Sequence, residues 1–331
     1  MELRKVQITG KSTFIVSLPK EWAKRAGIRQ GSTIAMFPQS DGSLLINPKD
    51  NPQSNKNKIL NIKNLCGETL KREIIGAYLA GYNIIELIAN PISSDQKIII
   101  RDICQKLIGP EIIEETANKV ILQDLINPNK LSIDRGLIRI LLISESMYED
   151  AIKALKTNNI DLAKDVSARD DEVDRLYLLL SKQFNSILQT SKLPEKNELS
   201  MVDAFNYRLV AGNLERIADH AKKIADISMS LNGKKIPDNI LENIQQVSLQ
   251  VINMVKDAVR SLTRSDIEMA NKVLEENNII SNTLLRLDQS LLELSADIAV
   301  SLGIIVDSIG RIGGYSANMA EVAINSFLMK P

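Results

Sequence analysis

Apolar residues recur along this chain in three patterns, and each pattern predicts a different kind of element. Over residues 1–50 they fall in short runs rich in β-branched side chains, which are typical of strands. Between about residues 59 and 127, strand-like runs alternate with helix-like ones. From Ile133 onward apolar residues recur at three- and four-residue spacing, as on one face of an α-helix. The chain is therefore predicted to be mostly α-helical with a small β head.

The head is predicted to form two hairpins with a short helix between them. Its predicted strands cover residues 4–9, 13–18, 32–37 and 44–46, and its helix covers residues 19–26, with Pro19 suited to a first helical turn. Residues 39–42 end in Asp41-Gly42, a dipeptide that favours hairpin turns. Residues 48–58 are polar and contain prolines, which predicts a linker.

A small α/β element is predicted after the linker, at residues 59–127. Its helices are expected over residues 65–80 and from Ser93 or Ser94 to Leu107, and its strands over residues 83–89, 112–115 and 119–125. No glycine-rich loop suited to a phosphate and no catalytic pattern accompanies these segments. We expect this element to act in spacing or packing.

The helical part of the sequence repeats. Residues 147–155 align with residues 254–262 at an offset of 107, and residues 216–225 align with residues 311–320 at an offset of 95. The twelve residues by which the offsets differ fall in a polar loop around residues 191–199 of the first copy. The repeat predicts two tandem three-helix bundles, at residues 130–232 and 236–331.

Composition narrows the possible chemistry. The 331 residues are 44% hydrophobic and 25% charged, with 41 basic and 41 acidic side chains, so any binding patch for an acidic partner must be local. One histidine, His220, is too few for a His-based zinc site or for a di-iron centre built on two Glu-x-x-His motifs. Two isolated cysteines indicate a reduced compartment. With neither a signal peptide nor a membrane-spanning apolar run in the sequence, we expect a cytoplasmic protein without membrane insertion.

Two pairs of acidic residues stand out in the first predicted bundle. Glu215 and Asp219 are four residues apart on one helix, and Asp170 and Asp174 are four apart on another. The plain interpretation is a solvated acidic flank on each helix. If all four carboxylates converge, their repulsion favours either protonation or a bound cation, and hard cations prefer oxygen ligands. Two such pairs in one bundle favour a metal site.

The head resembles the AbrB/SpoVT/MazE family, on the strings Val-Ser-Leu-Pro-Lys at residues 16–20 and Ala-Gly-Ile at residues 26–28, followed by Gly31. This resemblance implies a dimeric swapped-hairpin barrel that binds DNA through basic residues of the first strand and turn. The positions carried over are Arg4, Lys5 and Lys11, and Lys20 is added from the local excess of basic residues. The alternative is that these charges only solvate a dimerisation module.

The helical body resembles the PhoU (phosphate uptake regulator) family over residues 130–331. The resemblance is carried by the tandem bundles, by Leu-Glu-Arg-Ile-x-Asp-His at residues 214–220 and by the two acidic pairs. It implies a regulator that restrains phosphate uptake by acting on a phosphate ABC transporter and a sensor kinase, with iron or zinc bound by the acidic pairs. An AbrB-like head on a PhoU-like body is an arrangement known mostly from archaeal regulators.

The second copy departs from the family pattern. Its residues at the four acidic positions are Asn277, Ser281, Gly310 and Gly314. We therefore expect iron or zinc, if bound, in the first bundle only, with Asp170, Asp174, Glu215 and Asp219 as ligands. The glycines at residues 310–314 are interpreted as close helix packing, or else as backbone open to a partner or ligand.

Three functions are compatible with the sequence. The leading one is a non-enzymatic, DNA-binding regulator of phosphate uptake and phosphate homeostasis, acting on promoter DNA as a homodimer joined through the head. The second is an interaction module that does not bind DNA and restrains a phosphate ABC transporter or a signalling kinase. The third is a carboxylate-metal hydrolase, which the absence of a nucleophile or glycine-rich loop near the acids disfavours.

Overall fold

The computed structural model describes residues 2–10, 12–38, 42–48, 56–126, 132–190 and 200–329. The chain divides into two compact units, Met1–Asn55 and Lys56–Pro331. The first unit is the head, and the second contains the α/β element and the helical body.

The described residues of the head form two separate antiparallel hairpins and one helix. Strand β1 (Gln7–Thr9) pairs with β2 (Thr13–Ile15), helix α1 spans Lys20–Arg25, and β3 (Ala35–Pro38) pairs with β4 (Leu44–Asn47). No described residue of the head is fully buried, and Phe14 and Ile8 are 72% and 64% exposed. A two-stranded hairpin is marginal by itself, so these faces lack the partner surface that would stabilise them.

The α/β element is a four-stranded sheet with two helices. Its strand order is β5-β6-β8-β7, with β5 parallel to β6 and the remaining pairs antiparallel. Inward-facing side chains such as Leu87 and Leu122 pack against the helices in a hydrophobic core of their own. The elements are β5 (Asn57–Asn61), α2 (Gly67–Leu79), β6 (Ile84–Ile88), α3 (Ser94–Gln105), β7 (Pro110–Glu115) and β8 (Lys119–Asp124).

Over residues 132–190 and 200–329, six long helices form the body, three from each copy of the repeat. They are α4 (Ile133–Thr157), α5 (Ile160–Thr190), α6 (Met201–Ser230), α7 (Asp238–Arg264), α8 (Ile267–Leu291) and α9 (Ala296–Leu328). The apolar stripe predicted on α6, from Val210 to Ile224, is buried. One continuous cluster of buried side chains runs from Ile133 to Ala323, so the two bundles share a core.

The two bundles face each other around an approximate two-fold axis. Glu149 and Lys256 occupy equivalent positions in the two copies, and their side chains form an ion pair of 3.6 Å between α4 and α7. His220 and Tyr315 are also equivalent, and their ring centroids lie 5.8 Å apart between α6 and α9. Lys156 near the end of α4 also contacts Gln245 near the start of α7, so these two equivalent helices run antiparallel. Contacts between equivalent residues of antiparallel helices indicate an approximate two-fold relation between the copies.

The α/β element packs on α5 of the first bundle. Lys182 forms an ion pair with Asp124, and both side chains are less than a tenth exposed. The same lysine lies 4.3 Å from the centroid of the Tyr78 ring. Asn185 adds a hydrogen bond of 2.9 Å to the carbonyl oxygen of Leu79 at the end of α2. Helix α5 therefore joins the α/β element to the helical body.

The predicted boundaries were wrong for the linker and for three strands of the head. The linker prediction at residues 48–58 overlaps β5, a polar edge strand that forms because β6 supplies its backbone hydrogen bonds. The first strand was predicted from residue 4, but β1 begins at Gln7, because its short partner β2 offers a ladder of only three residues. The second strand was predicted to reach residue 18 but β2 ends at Ile15, and the third was predicted from residue 32 but β3 begins at Ala35. The predicted turn at residues 39–42 and the loop at residues 191–199 lie largely or wholly outside the described residues.

None of the helices in the described part of the chain combines the length and apolar character needed to cross a membrane.

Candidate functional site

The four acidic residues singled out in the first bundle lie on one side of it. Asp170 and Asp174 are one turn apart on α5, and Glu215 and Asp219 are one turn apart on α6, which packs against α5. Asp170 is buried, Asp174 and Glu215 are half-buried, and Asp219 is exposed at the rim. The two pairs therefore lie on neighbouring helices, near enough for their charges to act on one another. We call this group the acidic cluster.

Burial and mutual repulsion disfavour full ionisation of the acidic cluster. Burial, with the charges of Asp219 and Asp174 added, raises the pKa of Glu215 to about 7. Burial and the charges of Asp170 and Asp219 raise the pKa of Asp174 to about 6. The pKa of Asp219 is also raised, mainly by partial burial. Glu215 therefore carries a proton part of the time near neutral pH, and Asp174 does so at slightly lower pH.

Lys222 is the counter-ion of the acidic cluster. It lies three residues after Asp219 on α6, and its Nζ atom donates a 2.7 Å hydrogen bond to Oδ2 of Asp170. This contact is the main cause of the raised pKa of Lys222. The other carboxylate oxygen of Asp170, Oδ1, is buried and has no hydrogen-bond partner among the described residues. One lysine thus offsets part of the charge of four acids.

The acidic cluster as arranged does not fit a metal ion. Within the described ranges, no group of three or more His, Cys, Asp and Glu side chains is placed so that it could hold a metal. Lys222 occupies the position at Asp170 where a cation would be favoured. A metal would therefore need Lys222 to leave Asp170 and the remaining carboxylates to converge further.

The equivalent surface of the second bundle has no such acidic pairs and is closely packed. A Cβ atom on Gly313 would lie 3.0 Å from Oδ1 of Asn277, the residue equivalent to Asp170. A Cβ atom on Gly310 would lie 3.2 Å from the Leu284 side chain. This supports close packing of α8 against α9 at Gly310 and Gly313, whereas a Cβ atom on Gly314 would meet no atom within 4 Å. His220 points away from the acidic cluster to Tyr315, and burial lowers its pKa.

The basic residues predicted to contact DNA are exposed where the structure describes them. Arg4, Lys5 and Lys20 are exposed, whereas Lys11 lies outside the described residues. Arg4 forms an ion pair with Glu2. Lys20 opens α1, and Arg4 and Lys5 precede β1 instead of lying within it.

Comparison with known families assigns both parts of the chain. The PhoU domain model matches residues 137–228 and 244–323, which together are more than half of the chain. The chain belongs to the PhoU family. The two matched segments coincide with the two copies of the repeat. The family model for MazE, a bacterial antitoxin that recognises its toxin, matches residues 7–54, which correspond to the head.

Individual PhoU proteins match the body at low identity. The phosphate-specific transport system accessory protein PhoU homolog 1 of Thermotoga maritima is 24% identical over 191 residues, covering 56% of this chain and 81% of that protein. The homologous accessory protein of Aquifex aeolicus is 28% identical over 155 residues, covering 47% of this chain and 68% of that protein.

Solved PhoU structures share the fold of the body. The crystal structure of PhoU from Pseudomonas aeruginosa aligns with a TM-score of 0.53 at 23% identity, covering 59% of this chain and 94% of that one. PhoU from Streptococcus pneumoniae aligns with a TM-score of 0.52 at 15% identity, covering 59% and 92%. At these identities the likeness concerns the fold.

Two features of the site were missed by sequence reasoning. Lys222 was not predicted as a partner of the acids, although its three-residue spacing from Asp219 places it on the same side of α6. Asp171 was not included, yet its charge acts on Asp174 and Lys222, and it forms an ion pair of 3.5 Å with Lys106 of the α/β element. The ion pair of Asp171 with Lys106 joins residues far apart in sequence, so no local sequence pattern predicts it.

Proposed function

We propose that this PhoU-family protein is a non-enzymatic regulator of phosphate uptake that binds DNA through its head as a homodimer. The observation that carries the proposal is the union, in one chain, of a head matched by the MazE antitoxin model and a body matched by the PhoU domain model. The relatives of the body are accessory proteins of phosphate-specific transport by name. In this proposal the head binds DNA, and the body links the protein to phosphate transport.

The uncovered apolar faces of the head support dimerisation. Phe14, Ile8 and Met36 are each more than half exposed, although they lie in the head's two hairpins. A second head placed on these faces would bury them, as the swapped-hairpin arrangement of the resembling family implies. Dimerisation would also bring two sets of basic residues together, which a DNA duplex with two half-sites requires.

A DNA-binding experiment tests this proposal. The full chain should retard promoter DNA of phosphate transporter genes, with an affinity that falls steeply as salt rises. A variant with Arg4→Gln, Lys5→Gln and Lys20→Gln should bind more weakly and show a shallower salt dependence, by about one unit of log–log slope for each phosphate that it no longer binds. The matched control replaces three exposed lysines of the second unit, Lys63, Lys164 and Lys223, by glutamine. Equal binding by both variants would refute the role of the head.

A second function is favoured by one feature of the head. The ion pairs of Arg4 with Glu2 and of Lys24 with Glu21 neutralise part of the basic excess. In this alternative the head only dimerises, and the body restrains a phosphate ABC transporter or a signalling kinase. No retardation of DNA at low salt, together with a dimer in solution, would favour this alternative over DNA binding.

Iron or zinc in the first bundle remains a separate proposal. It requires Lys222 to leave Asp170 and the four carboxylates to move closer together, and the excess negative charge of the acidic cluster supports it. Elemental analysis of the purified protein tests it, with Glu215→Ala and Asp219→Ala combined as the variant that should lose the metal. Equal metal content in the two proteins would exclude the acidic cluster as the site. No part of the DNA-binding proposal depends on this metal.

A further inference from the structure

A groove of about 520 Å³ lies between α7 and α8 of the second bundle. The residues that matter for its chemistry are Asn253, Asp257 and Arg260 on α7 and Lys272, Glu276 and Ile279 on α8. The groove is remote in sequence from both the head and the acidic cluster. Its size falls within the range of protein binding sites.

The first bundle fills the equivalent groove with one of its own arginines. The offset of 107 residues places Ser146, Asp150, Asp165 and Arg169 at the positions of Asn253, Asp257, Lys272 and Glu276. Arg169 donates hydrogen bonds of 2.6 Å to Asp150 and 2.9 Å to Ser146, and its Nη2 atom lies 3.1 Å from Asp165. The guanidinium group therefore bridges α4 and α5. In the second bundle a glutamate replaces this arginine, and the groove is open.

The acidic side chains of the open groove lie deeper than its basic ones. Asp257 pairs with Arg260 at 3.3 Å, and the two side chains are 24% and 54% exposed. Glu276 pairs with Lys272 at 3.5 Å, with side-chain exposures of 36% and 65%. Each pair joins two residues of the same helix and is open to water, so it contributes little to stability. The acid of each pair can therefore exchange its own lysine or arginine for a better-placed cation. The interior of the groove is thus acidic, and its cations lie at the rim.

We propose that the groove between α7 and α8 binds an arginine side chain presented by a partner protein. The guanidinium group takes the place that Arg169 holds in the first bundle. Asp257 and Glu276 accept its hydrogen bonds from opposite walls, and the side-chain oxygen of Asn253 replaces Ser146 as the neutral acceptor. Ile279 is 66% exposed beside the groove and offers a contact for an apolar residue next to that arginine. A peptide segment therefore fits better than a free small molecule.

Binding of a labelled peptide to the full chain tests the proposal. The probe is a fluorescein-labelled peptide with Leu-Arg-Leu at its centre, and the control peptide has citrulline, which is similar in shape but uncharged, in place of arginine. We expect saturable anisotropy with the arginine peptide and about tenfold weaker binding with citrulline. Equal binding of the two peptides, or no saturable binding of either, would overturn the proposal.

Variants that exchange the two bundles' residues locate the site. Glu276→Arg combined with Lys272→Asp rebuilds the first-bundle arrangement, so the groove fills itself and peptide binding should disappear while helical content is kept. The reverse exchange, Arg169→Glu with Asp165→Lys, opens the first-bundle groove and should add a second binding site. If either double variant fails to fold, Glu276→Gln should still weaken binding by about tenfold. Full binding by a folded self-filled variant would place the peptide elsewhere.

A capped arginine without flanking residues separates a protein partner from a small molecule. It should bind more weakly than the peptide, and Ile279→Ser should weaken the peptide but leave the capped arginine unchanged. Capped arginine that binds as tightly as the peptide would identify a small-molecule site and overturn the assignment to a protein partner. Loss of DNA binding by the head leaves all of these results unaffected.

Discussion

Removing the charge of Lys222 should expose the electrostatic cost of the acidic cluster. In the Lys222→Met variant, Asp170 keeps a buried carboxylate, with a side chain only 6% exposed, but loses its 2.7 Å partner. Leaving a buried charge without its partner costs about 3–5 kcal/mol when both groups are fully buried. Because the Lys222 side chain is 40% exposed, water can replace part of its contact, and we expect a loss of about 1.5–2 kcal/mol.

Urea denaturation followed by circular dichroism measures this loss, since nearly all of the helix signal comes from the body. Asp170→Asn should cost less than Lys222→Met, because the half-exposed lysine regains water. The double variant should be more stable than the sum of the single losses predicts, by about 1 kcal/mol, since neither group is then left without its partner. Additive losses, or a Lys222→Met variant within about 0.5 kcal/mol of the parent at pH 7.5, would refute the counter-ion assignment.

Acid should rescue the Lys222→Met variant. The pKa of Asp174 is raised to about 6 and that of Glu215 to about 7 in the folded protein, above their ordinary values of 3.8 and 4.5. A raised folded pKa contributes stability at low pH, and that contribution is lost as pH rises through the folded pKa. Between pH 8 and pH 5.5 these groups take up protons in the fold, so repulsion falls and the deficit of the variant should shrink. A deficit independent of pH would contradict the coupling of Lys222 to the acidic cluster.

Three further changes test other contacts. Glu215→Gln should raise the free energy of unfolding at pH 8.5 by about 1 kcal/mol, a figure already reduced because Glu215 is partly exposed. It should also make that free energy depend less on pH between pH 5.5 and 8.5. An unchanged dependence of stability on pH would contradict the raised pKa of Glu215. Lys182→Met should cost about 3 kcal/mol because it leaves Asp124 buried and unpaired, and limited proteolysis should then cut the α/β element first. Gly109→Ala should cost about 1–3 kcal/mol in urea denaturation, since φ is +110° and the new methyl group would meet the Asp124 carboxylate; Gly76→Ala, in the open middle of α2, is its control and should not destabilise.

The helical architecture could be predicted because its signal is local and repeated. Buried positions such as Leu214 and Ile217 recur at the helical period, and the offsets of 107 and 95 residues align all three helices of one bundle with those of the other. The acidic pairs were also predictable, because four-residue spacing on a helix fixes one side of it. Each of these inferences needs only residues within one or two turns.

Contacts between distant segments could not be predicted in the same way. Strand β5 carries more polar than apolar side chains, and it is a strand because β6 lies beside it in parallel. The ion pair of Lys182 with Asp124 joins residues 58 positions apart. The neutralisation of Asp170 by Lys222 depends on how α5 packs on α6, which sets the distance between two helices that each look merely charged. The sequence therefore indicates where the acids lie but not how they are compensated.

The two bundles differ at residues through which they contact each other, and these differences show how the two copies fit together. Two identical copies would place glutamate against glutamate, or lysine against lysine, where Glu149 meets Lys256. The chain has instead an attractive contact there, and Lys256 also forms an ion pair of 2.5 Å with Glu145. The two copies are thus complementary to each other at this contact.

Charge reversal at the axis tests whether this complementarity stabilises the pairing of the bundles. Lys256→Glu removes a lysine that serves two acids and gathers three carboxylates, so it should cost about 2 kcal/mol or more. Glu149→Lys leaves the Glu145 contact in place and should cost about 1 kcal/mol or less, since Glu149 is half exposed. In the double variant the reversed pair restores attraction at one of the two contacts, so part of the Lys256→Glu loss should return in urea denaturation. If the double variant loses as much stability as the two single variants together, Glu149 and Lys256 are neighbours that do not interact energetically. Differences between the cores of the two bundles, and not this contact, would then determine how the bundles pair.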